Sequence, residues 1–175
     1  MSDTAKLNCG DAEVELPVVV GTENETAIDI SKLRGSTGLI TLDEGFVNTG
    51  ATSSSITYLD GEKGILRYRG YPIEELAAKC DFVEVCYLLI YGELPNQQEL
   101  EDFRNAIRRH TMLHEDMRSF YNGFPRDAHP MAILSSVVSA LSTFYQDSLD
   151  PNDPEQVEVS IHRLLAKLPT IAAYS

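Results

Sequence analysis

Basic residues are scarce in this chain. It has 14 Lys and Arg against 27 Asp and Glu in 175 residues, which gives a formal net charge of −13. A surface of this sign repels phosphate backbones and anionic lipid headgroups, so we expect no nucleic acid and no membrane surface among its general partners. Against this acidic background, any local cluster of basic side chains becomes informative.

Cysteine is also sparse, and its three positions show neither metal-ligand nor redox spacing. Cys80 and Cys86 fall in predicted helices, where a small buried thiol is common. Three free thiols without a predicted disulfide favour a reducing, cytoplasmic environment. The first six residues have neither a basic patch nor an apolar run, so they predict no secretory signal and no transit peptide.

Long apolar runs are missing too. The longest stretch without Asp, Glu, Lys or Arg covers residues 128–146, and it contains four serines and a threonine. That composition predicts a helix packed inside a protein, not a membrane span. A glycine-rich phosphate loop, a nucleophile elbow and a Cys–His pair are absent from the sequence as well.

What is present divides into two regions. Residues 1–57 predict a β-rich leader, because apolar residues alternate over 14–20 as in a half-buried strand. Ile28 and Ile30 alternate briefly, and residues 39–42 form another candidate strand. Residues 58–175 predict a hairpin followed by helices, and the whole chain is long enough to bury a sizeable core.

Residues 58–73 combine strand and turn signals. Asp60-Gly61 predicts a tight turn between two strands, because glycine accepts a positive φ. Gly70-Tyr71-Pro72 is expected to end the second strand, and Pro72 suits the entry to a helix that begins near Ile73.

Helical spacing continues to the end of the sequence. In helix 130–145 large apolar residues form one stripe and serines the other, so both sides suit close packing. In the last predicted helix the core stripe includes Leu164 and Leu168, and Pro169 is expected to interrupt it. The chain is expected to end inside a helical unit. The predicted helices cover residues 73–79, 82–91, a segment from Asn96 toward His110, 115–122, 130–145 and 154–168.

The segment Asp60–Pro72, with His129-Pro130-Met131 and Ala166-Lys167-Leu168-Pro169, resembles the amino-terminal part of citrate synthase. The similarity extends over essentially all 175 residues. The β-rich leader and Arg109-His110-Thr111-Met112 resemble the bacterial type II form, whose members are typically hexameric and inhibited by NADH. The resemblance implies a mainly helical fold, an incomplete citrate synthase-like large domain behind a small β-rich region.

The implied function is the condensation of acetyl-CoA with oxaloacetate and water to citrate and CoA, the entry to the tricarboxylic acid cycle. The family's chemistry uses two histidines and an aspartate, with arginines that grip oxaloacetate, and none of them matches a residue here. His110, His114, His129 and His162 do not correspond to them. We therefore assign no catalytic residue, and we expect the segment alone to be inactive, with no cofactor needed for the catalysis.

The resemblance also implies an allosteric NADH site. The matching residues are Arg109, His110, Thr111, Met112, Tyr145, Arg163 and Lys167. On the residues alone, Arg108–Thr111 is the densest positive spot in an acidic protein. The alternative is structural, because basic residues at a helix C-terminus interact favourably with the helix dipole.

Arg163 and Lys167 lie four positions apart and so share one helix face, which we expect to lie opposite the leucine stripe. Two adjacent cations repel each other unless a negative charge lies between them. A nucleotide phosphate is one candidate for that charge, and Glu155 or Glu158 is the other.

Two further patterns suggest chemistry less strongly. His110 and His114 share a helix face, but Thr111 stands where a zincin motif needs glutamate and no third ligand is evident, so we predict no metal site. Asp127 and His129 have the spacing of an acid–base pair. Capping of the helix that begins at Pro130 is the favoured interpretation.

Helices 130–145 and 154–168 match those that form the dimer interface of the family, so we expect a homodimer and, in the intact protein, a hexamer. A structural role for the leader strands in hexamer assembly stays open. Two alternatives to the citrate synthase function also stay open. One is a non-catalytic nucleotide-binding or interaction module. The other is a 2-methylcitrate synthase that uses propionyl-CoA, whose discriminating acyl-pocket residues lie outside this sequence.

Overall fold

The computed structural model describes residues 4–175. The chain divides into two compact units, Met1–Ser54 and Ser55–Ser175. The first is rich in strands and the second in helices, which is the mainly helical architecture with a small β-rich N-terminal region that the sequence predicted.

The first unit is a three-stranded antiparallel sheet followed by a short helix. Strands β1 (Thr4–Cys9), β2 (Ala12–Val20) and β3 (Thr26–Ile28) lie in sequence order, and helix α1 covers Leu33–Thr37. Leu16 of β2 and Leu33 of α1 are buried. The strand predicted from the alternation over 14–20 is therefore confirmed.

The strand predicted at residues 39–42 is wrong. These residues form no strand, and the side chains of Ile40 and Leu42 are exposed. A strand needs a neighbour for its backbone groups, and within the described part of the chain no strand pairs with this segment. The apolar alternation covers only four residues, and it says nothing about whether another strand is available to pair with them.

The second unit begins with the predicted hairpin, formed by β4 (Thr57–Asp60) and β5 (Ile65–Tyr68). Its positive φ of 66° lies at Gly64 and not at Gly61. The Asp60 carboxylate instead closes the turn by accepting a 3.0 Å hydrogen bond from the Lys63 backbone.

The chain does not leave the sheet at Gly70. Arg69 and Gly70 take positive φ values of 49° and 90° and fold the chain back, so that β6 (Tyr71–Pro72) pairs with β5 as a third strand. The Arg69 guanidinium donates to the carbonyl oxygen of Leu89 at 2.8 Å, which ties the turn to a helix.

Six helices complete the second unit. Their ranges are α2 (Ile73–Lys79), α3 (Phe82–Tyr91), α4 (Gln97–Arg109), α5 (Met117–Tyr121), α6 (Pro130–Phe144) and α7 (Pro154–Tyr174), with a 3₁₀ turn at Gln146–Ser148. Within the described residues, none of the helices combines the length and the apolarity that crossing a bilayer requires.

Side-chain caps explain where these helices begin. Asp81 and Asn96 each form a reciprocal capping box with the glutamate three positions on, Glu84 and Glu99. The Nδ1 atom of His129 accepts from the backbone of Met131 at 3.2 Å, which confirms the predicted capping role over an acid–base pair with Asp127. Gln156 closes no capping box, because its side-chain oxygen accepts from the backbone of Leu149 and Asp150.

Helix α7 runs through Pro169, where the sequence predicted an interruption. An internal proline removes one helix hydrogen bond and crowds the preceding turn. Pro169 lies on the exposed side of α7, whereas Ala166, Lys167 and Ile171 are buried on the opposite side. The packing of that buried face keeps the helix continuous.

The main core lies between α5, α6 and α7. It contains Met117, Ile133, Val137, Leu141 and Ile171. The predicted apolar stripe of α6 is thereby confirmed, with its serines on the outer side. The predicted stripe of α7 is wrong, since Leu164 and Leu168 are each 45% exposed whereas Arg163 and Lys167 are 7% and 2% exposed.

Candidate functional site

Arg163 and Lys167 face one aromatic ring. Their spacing on α7 places both on its buried face, and Tyr145, which follows the last residue of α6, lies against them. The guanidinium carbon of Arg163 is 4.4 Å from the centre of the Tyr145 ring, and the ammonium nitrogen of Lys167 is 4.6 Å from it. A π face attracts each cation, most strongly where water is excluded.

Arg163 is paired with Asp147 of the 3₁₀ turn. Its two terminal nitrogens donate to the two carboxylate oxygens at 2.8 and 3.0 Å, and one also donates to the Ser148 hydroxyl at 2.5 Å. These hydrogen bonds from the guanidinium hold the pKa of Asp147 below its usual value. The acidic partner of Arg163 is thus Asp147, so the alternative in which Glu155 or Glu158 supplies the negative charge is wrong.

Glu158 serves a different contact. It accepts a hydrogen bond from the hydroxyl of Tyr91 and lies 3.3 Å from Nε2 of His162. Burial, followed by the Glu158 contact, raises the pKa of the Tyr91 hydroxyl, so this tyrosine stays protonated and acts as a donor. Glu158 is therefore committed to α3 and is unavailable to the cations of α7.

Lys167 bonds to backbone, not to a carboxylate. Its ammonium donates to the carbonyl oxygen of His110 at 2.8 Å and to that of Met112. In the part of the chain that the structure describes, no acidic side chain forms an ion pair with it. The last carbonyls of a helix lack partners within the helix, so Lys167 closes the end of α4 from a distance in sequence.

His110 completes the cluster. It follows the last residue of α4 and is half-buried. Its pKa is lowered by burial first, and then by the positive charges of Arg163 and Lys167. The neutral imidazole is therefore favoured beside two fixed cations.

This depressed pKa predicts a pH dependence of stability. The unfolded chain binds a proton at His110 near pH 6.5, whereas the folded chain binds it only at lower pH, so stability falls as pH drops below about 6.5. We expect His110→Gln to reduce the loss of unfolding free energy between pH 7 and pH 5, measured by urea denaturation. Asn122→Gln, at an exposed side chain that does not titrate, is the control that should keep the wild-type slope. An unchanged slope in His110→Gln would contradict the prediction.

The other members of the sequence-predicted set lie around this cluster. Arg109 is the exposed last residue of α4. The Thr111 hydroxyl donates to the Arg108 carbonyl at 3.1 Å, and the Thr111 carbonyl accepts from the Thr170 hydroxyl at 3.3 Å. Met112 contributes its backbone, while its side chain is exposed. The structure thus joins His110, Tyr145, Arg163 and Lys167 and leaves three side chains on the adjoining surface.

Sequence reasoning missed Asp147, Ser148 and Thr170. The 3₁₀ turn that presents the first two has no periodic signal, and it meets α7 about fifteen residues later along the chain. A search for an acid close to a basic pair in sequence finds Glu155 and Glu158 instead. Only the fold places Asp147 against Arg163.

A cleft adjoins the cluster between α6 and α7. Polar groups of Tyr145, Ser148, Ser160 and Arg163 line it together with leucine side chains. The Nε atom of Arg163 is buried and has no hydrogen-bond partner among the described residues. The cleft therefore combines an aromatic ring, polar side chains and apolar walls.

His110 and His114, which share a predicted helix face, make contacts with different neighbours. His114 accepts from the Asp116 backbone at 3.3 Å and packs on Phe144, with ring centres 5.2 Å apart. Within residues 4–175, no group of three or more His, Cys, Asp and Glu side chains is arranged to hold a metal ion.

The family model described as "Citrate synthase, C-terminal domain" matches residues 45–175. The chain belongs to the citrate synthase family. Citrate synthase 1 of Mycobacterium tuberculosis is 60% identical over 173 residues, and the citrate synthase of Corynebacterium glutamicum is 50% identical over 174. These alignments cover 99% of this chain and 40% of each relative, so the chain spans less than half of the curated citrate synthases that it matches.

A solved citrate synthase shares the fold. The structure of the enzyme from Pyrobaculum aerophilum superposes with a TM-score of 0.61 at 33% identity, over 90% of this chain and 37% of the other. The citrate synthase-like fold and the family membership that the sequence predicted are confirmed, and the chain is a homologue of these acyltransferases.

Proposed function

We propose that this chain is part of an enzyme that condenses acetyl-CoA with oxaloacetate and water to give citrate and CoA. The observation that carries the proposal is its 60% identity over 173 residues with a citrate synthase. The chain supplies helical scaffold and the Tyr145 cluster, and no described residue is assigned to the chemistry. Acetyl-CoA is then a substrate of the whole enzyme, and no catalytic cofactor is involved.

The test is a thiol-release assay with acetyl-CoA and oxaloacetate. We expect any longer product of the gene to release CoA continuously, and the 175-residue chain to release none. Propionyl-CoA is the control substrate, because a preference for it would favour a 2-methylcitrate synthase. Steady citrate formation by the 175-residue chain would contradict the assignment of the reactive groups to other parts of the enzyme.

We also propose that the Tyr145 cluster takes part in allosteric inhibition by NADH, as in the type II form. Three properties support this. Two buried cations lie side by side, one aromatic ring contacts both, and Arg109 lies exposed at the end of α4. Guanidinium groups bind phosphate oxygens through paired, charge-assisted hydrogen bonds, and a flat ring offers stacking surface.

The NADH proposal predicts that Arg109→Leu combined with Arg163→Leu abolishes inhibition in the catalytically active product. Two of the cations available to the phosphates are then lost. The inhibition constant for NADH is measured at fixed acetyl-CoA, and circular dichroism checks that loss of the buried Arg163 leaves the fold intact. Arg108→Leu, one position away and exposed, should stay inhibited. Equal inhibition of the double variant and the wild type would refute the site, as would a wild type insensitive to NADH.

We propose that the enzyme is a cytoplasmic homodimer through α6 and α7, with further assembly to a hexamer. Met131, Leu164 and Leu168 expose apolar side chains on these helices, and burial of such surface favours association. We expect Leu164→Glu with Leu168→Glu to convert the protein to monomer in sedimentation velocity. Leu59→Glu, on an exposed strand position, should leave assembly unchanged; a dimer that survives the double substitution would place the interface elsewhere.

A further inference from the structure

We propose that the Asp147 carboxylate is an internal competitor that occupies the anion-binding fork of Arg163, so that an anionic ligand binds this cluster only when Asp147 swings away. The inference rests on the NADH proposal for the same cluster and adds how binding there is held in check. It stands on the geometry of four groups: Arg163, Asp147, Tyr145 and Lys167.

The first step concerns the fork itself. Both terminal nitrogens of Arg163 are used by Asp147, one to each carboxylate oxygen, at 2.8 and 3.0 Å. A phosphate or a carboxylate ligand needs the same two parallel donors, because the guanidinium presents them in a fixed plane. The Asp147 carboxylate and the anionic group of a ligand therefore exclude each other, because both need the same two donors of Arg163.

The second step concerns exposure. The side chain of Arg163 is 8% exposed, whereas that of Asp147 is 67% exposed. The carboxylate thus covers the arginine from the side of the solvent, and it can rotate into water while the arginine stays fixed by α7. The carboxylate belongs to a turn of only three residues, Gln146–Ser148, so its displacement requires no helix to move.

The third step concerns the charge that remains. With Asp147 in place, the charge of Arg163 is balanced and Lys167 keeps its own against carbonyl oxygens. Once Asp147 leaves, two cations about 4.5 Å from one tyrosine ring are unbalanced. A group with two negative charges and a flat ring, such as a dinucleotide, complements that arrangement better than a single carboxylate does.

The turn is anchored apart from Asp147. The Ser160 hydroxyl donates to the Ser148 carbonyl at 2.9 Å, and Gln156 accepts from the backbone of Leu149 and Asp150. These bonds keep the backbone near α7 while the acidic side chain exchanges. Access to Arg163 is consequently controlled by the position of one side chain, that of Asp147.

The experiment compares Asp147→Asn with the wild type in fluorescence titrations with NADH, and with inorganic pyrophosphate as a competitor. We expect Asp147→Asn to bind NADH roughly tenfold more tightly, the factor for one charge-assisted contact that no longer competes. Asp150→Asn is the matched control, since it removes an equal charge from the same exposed loop and should keep the wild-type affinity. Asp147→Glu keeps the carboxylate and should stay close to the wild type, and thermal unfolding checks each variant.

Five outcomes of these titrations test the two proposals. Binding by the wild type with tighter binding by Asp147→Asn supports both, and binding by the wild type with equal or weaker binding by Asp147→Asn overturns the competitor alone. Binding by Asp147→Asn alone supports the competitor and overturns NADH control of the natural protein. Absence of binding by both proteins overturns both proposals. Equal gains in Asp147→Asn and Asp150→Asn would reduce the effect to net charge and overturn the competitor.

Discussion

Replacing Ile171 with alanine is expected to lower the free energy of unfolding by roughly 3 kcal/mol, the usual cost of truncating a fully buried aliphatic side chain. Ile171 has no exposed surface and packs in the cluster with Met117, Val137 and Leu141. The methyl groups removed leave a cavity between α5, α6 and α7. Urea denaturation followed by circular dichroism measures the change.

Leu168→Ala, three positions earlier on the same helix, is the matched control. Its side chain is 45% exposed, so we expect a loss of less than about 1 kcal/mol. The measurement must be made at a protein concentration where the chain is monomeric, because a partner on this surface would bury Leu168. Equal costs at the two positions, or a larger cost at Leu168, would restore the face that the leucine pattern predicted and contradict the structure.

Lys167→Met is expected to cost about 2 kcal/mol, on the scale of charge-assisted hydrogen bonds. Methionine keeps an unbranched stem against Tyr145, but the carbonyl oxygens of His110 and Met112 lose their donor. The end of α4 should fray as a result. Chemical denaturation gives the free energy, and faster amide hydrogen exchange in residues 110–113 locates the damage.

Lys79→Met tests whether loss of any lysine has this effect. Lys79 is exposed and pairs with Glu75 on α2, and such surface pairs contribute at most about 1 kcal/mol. We expect little change there. If Lys167→Met proved as stable as the wild type, the cost of removing the ammonium from water would equal the free energy of its two hydrogen bonds. Lys167 would then not stabilise the end of α4.

The elements that the sequence predicted well are those whose signals are local. The cap and the proline at the start of α6, the helix entry at Pro72 and the hairpin turn each act over three or four residues. The alternation over 14–20 and the stripe of α6 repeat often enough to fix a face. Chemistry contained within one turn of the chain can be read without knowledge of the fold.

The errors involve partners distant in sequence. Residues 39–42 have strand-like spacing but no strand beside them, and the continuity of α7 through Pro169 depends on what its other face buries. The orientation of α7 is the clearest case. Hydrophobicity ranks leucine above arginine and lysine for burial, but Asp147, Tyr145 and the end of α4 supply the contacts that make the charged face the inner one.

The candidate site divides in the same way. Tyr145, Arg163 and Lys167 were selected by resemblance, and the helix face that Arg163 shares with Lys167 followed from their spacing. The contact with Asp147 did not follow from any pattern, because a 3₁₀ turn of three residues leaves no periodic trace. The role of the cluster in binding NADH stays a prediction.

Pro169 has a consequence for whatever covers the outer side of α7. Proline has no N–H to offer the carbonyl oxygen of Leu165, and this helical step lies on the side that also carries Leu164 and Leu168. A docking surface that buried the two leucines would also seal off that lone acceptor from bulk water. A partner that binds this surface must therefore place a hydroxyl or amide donor at the Leu165 carbonyl oxygen, or leave a bound water molecule there within an otherwise apolar interface.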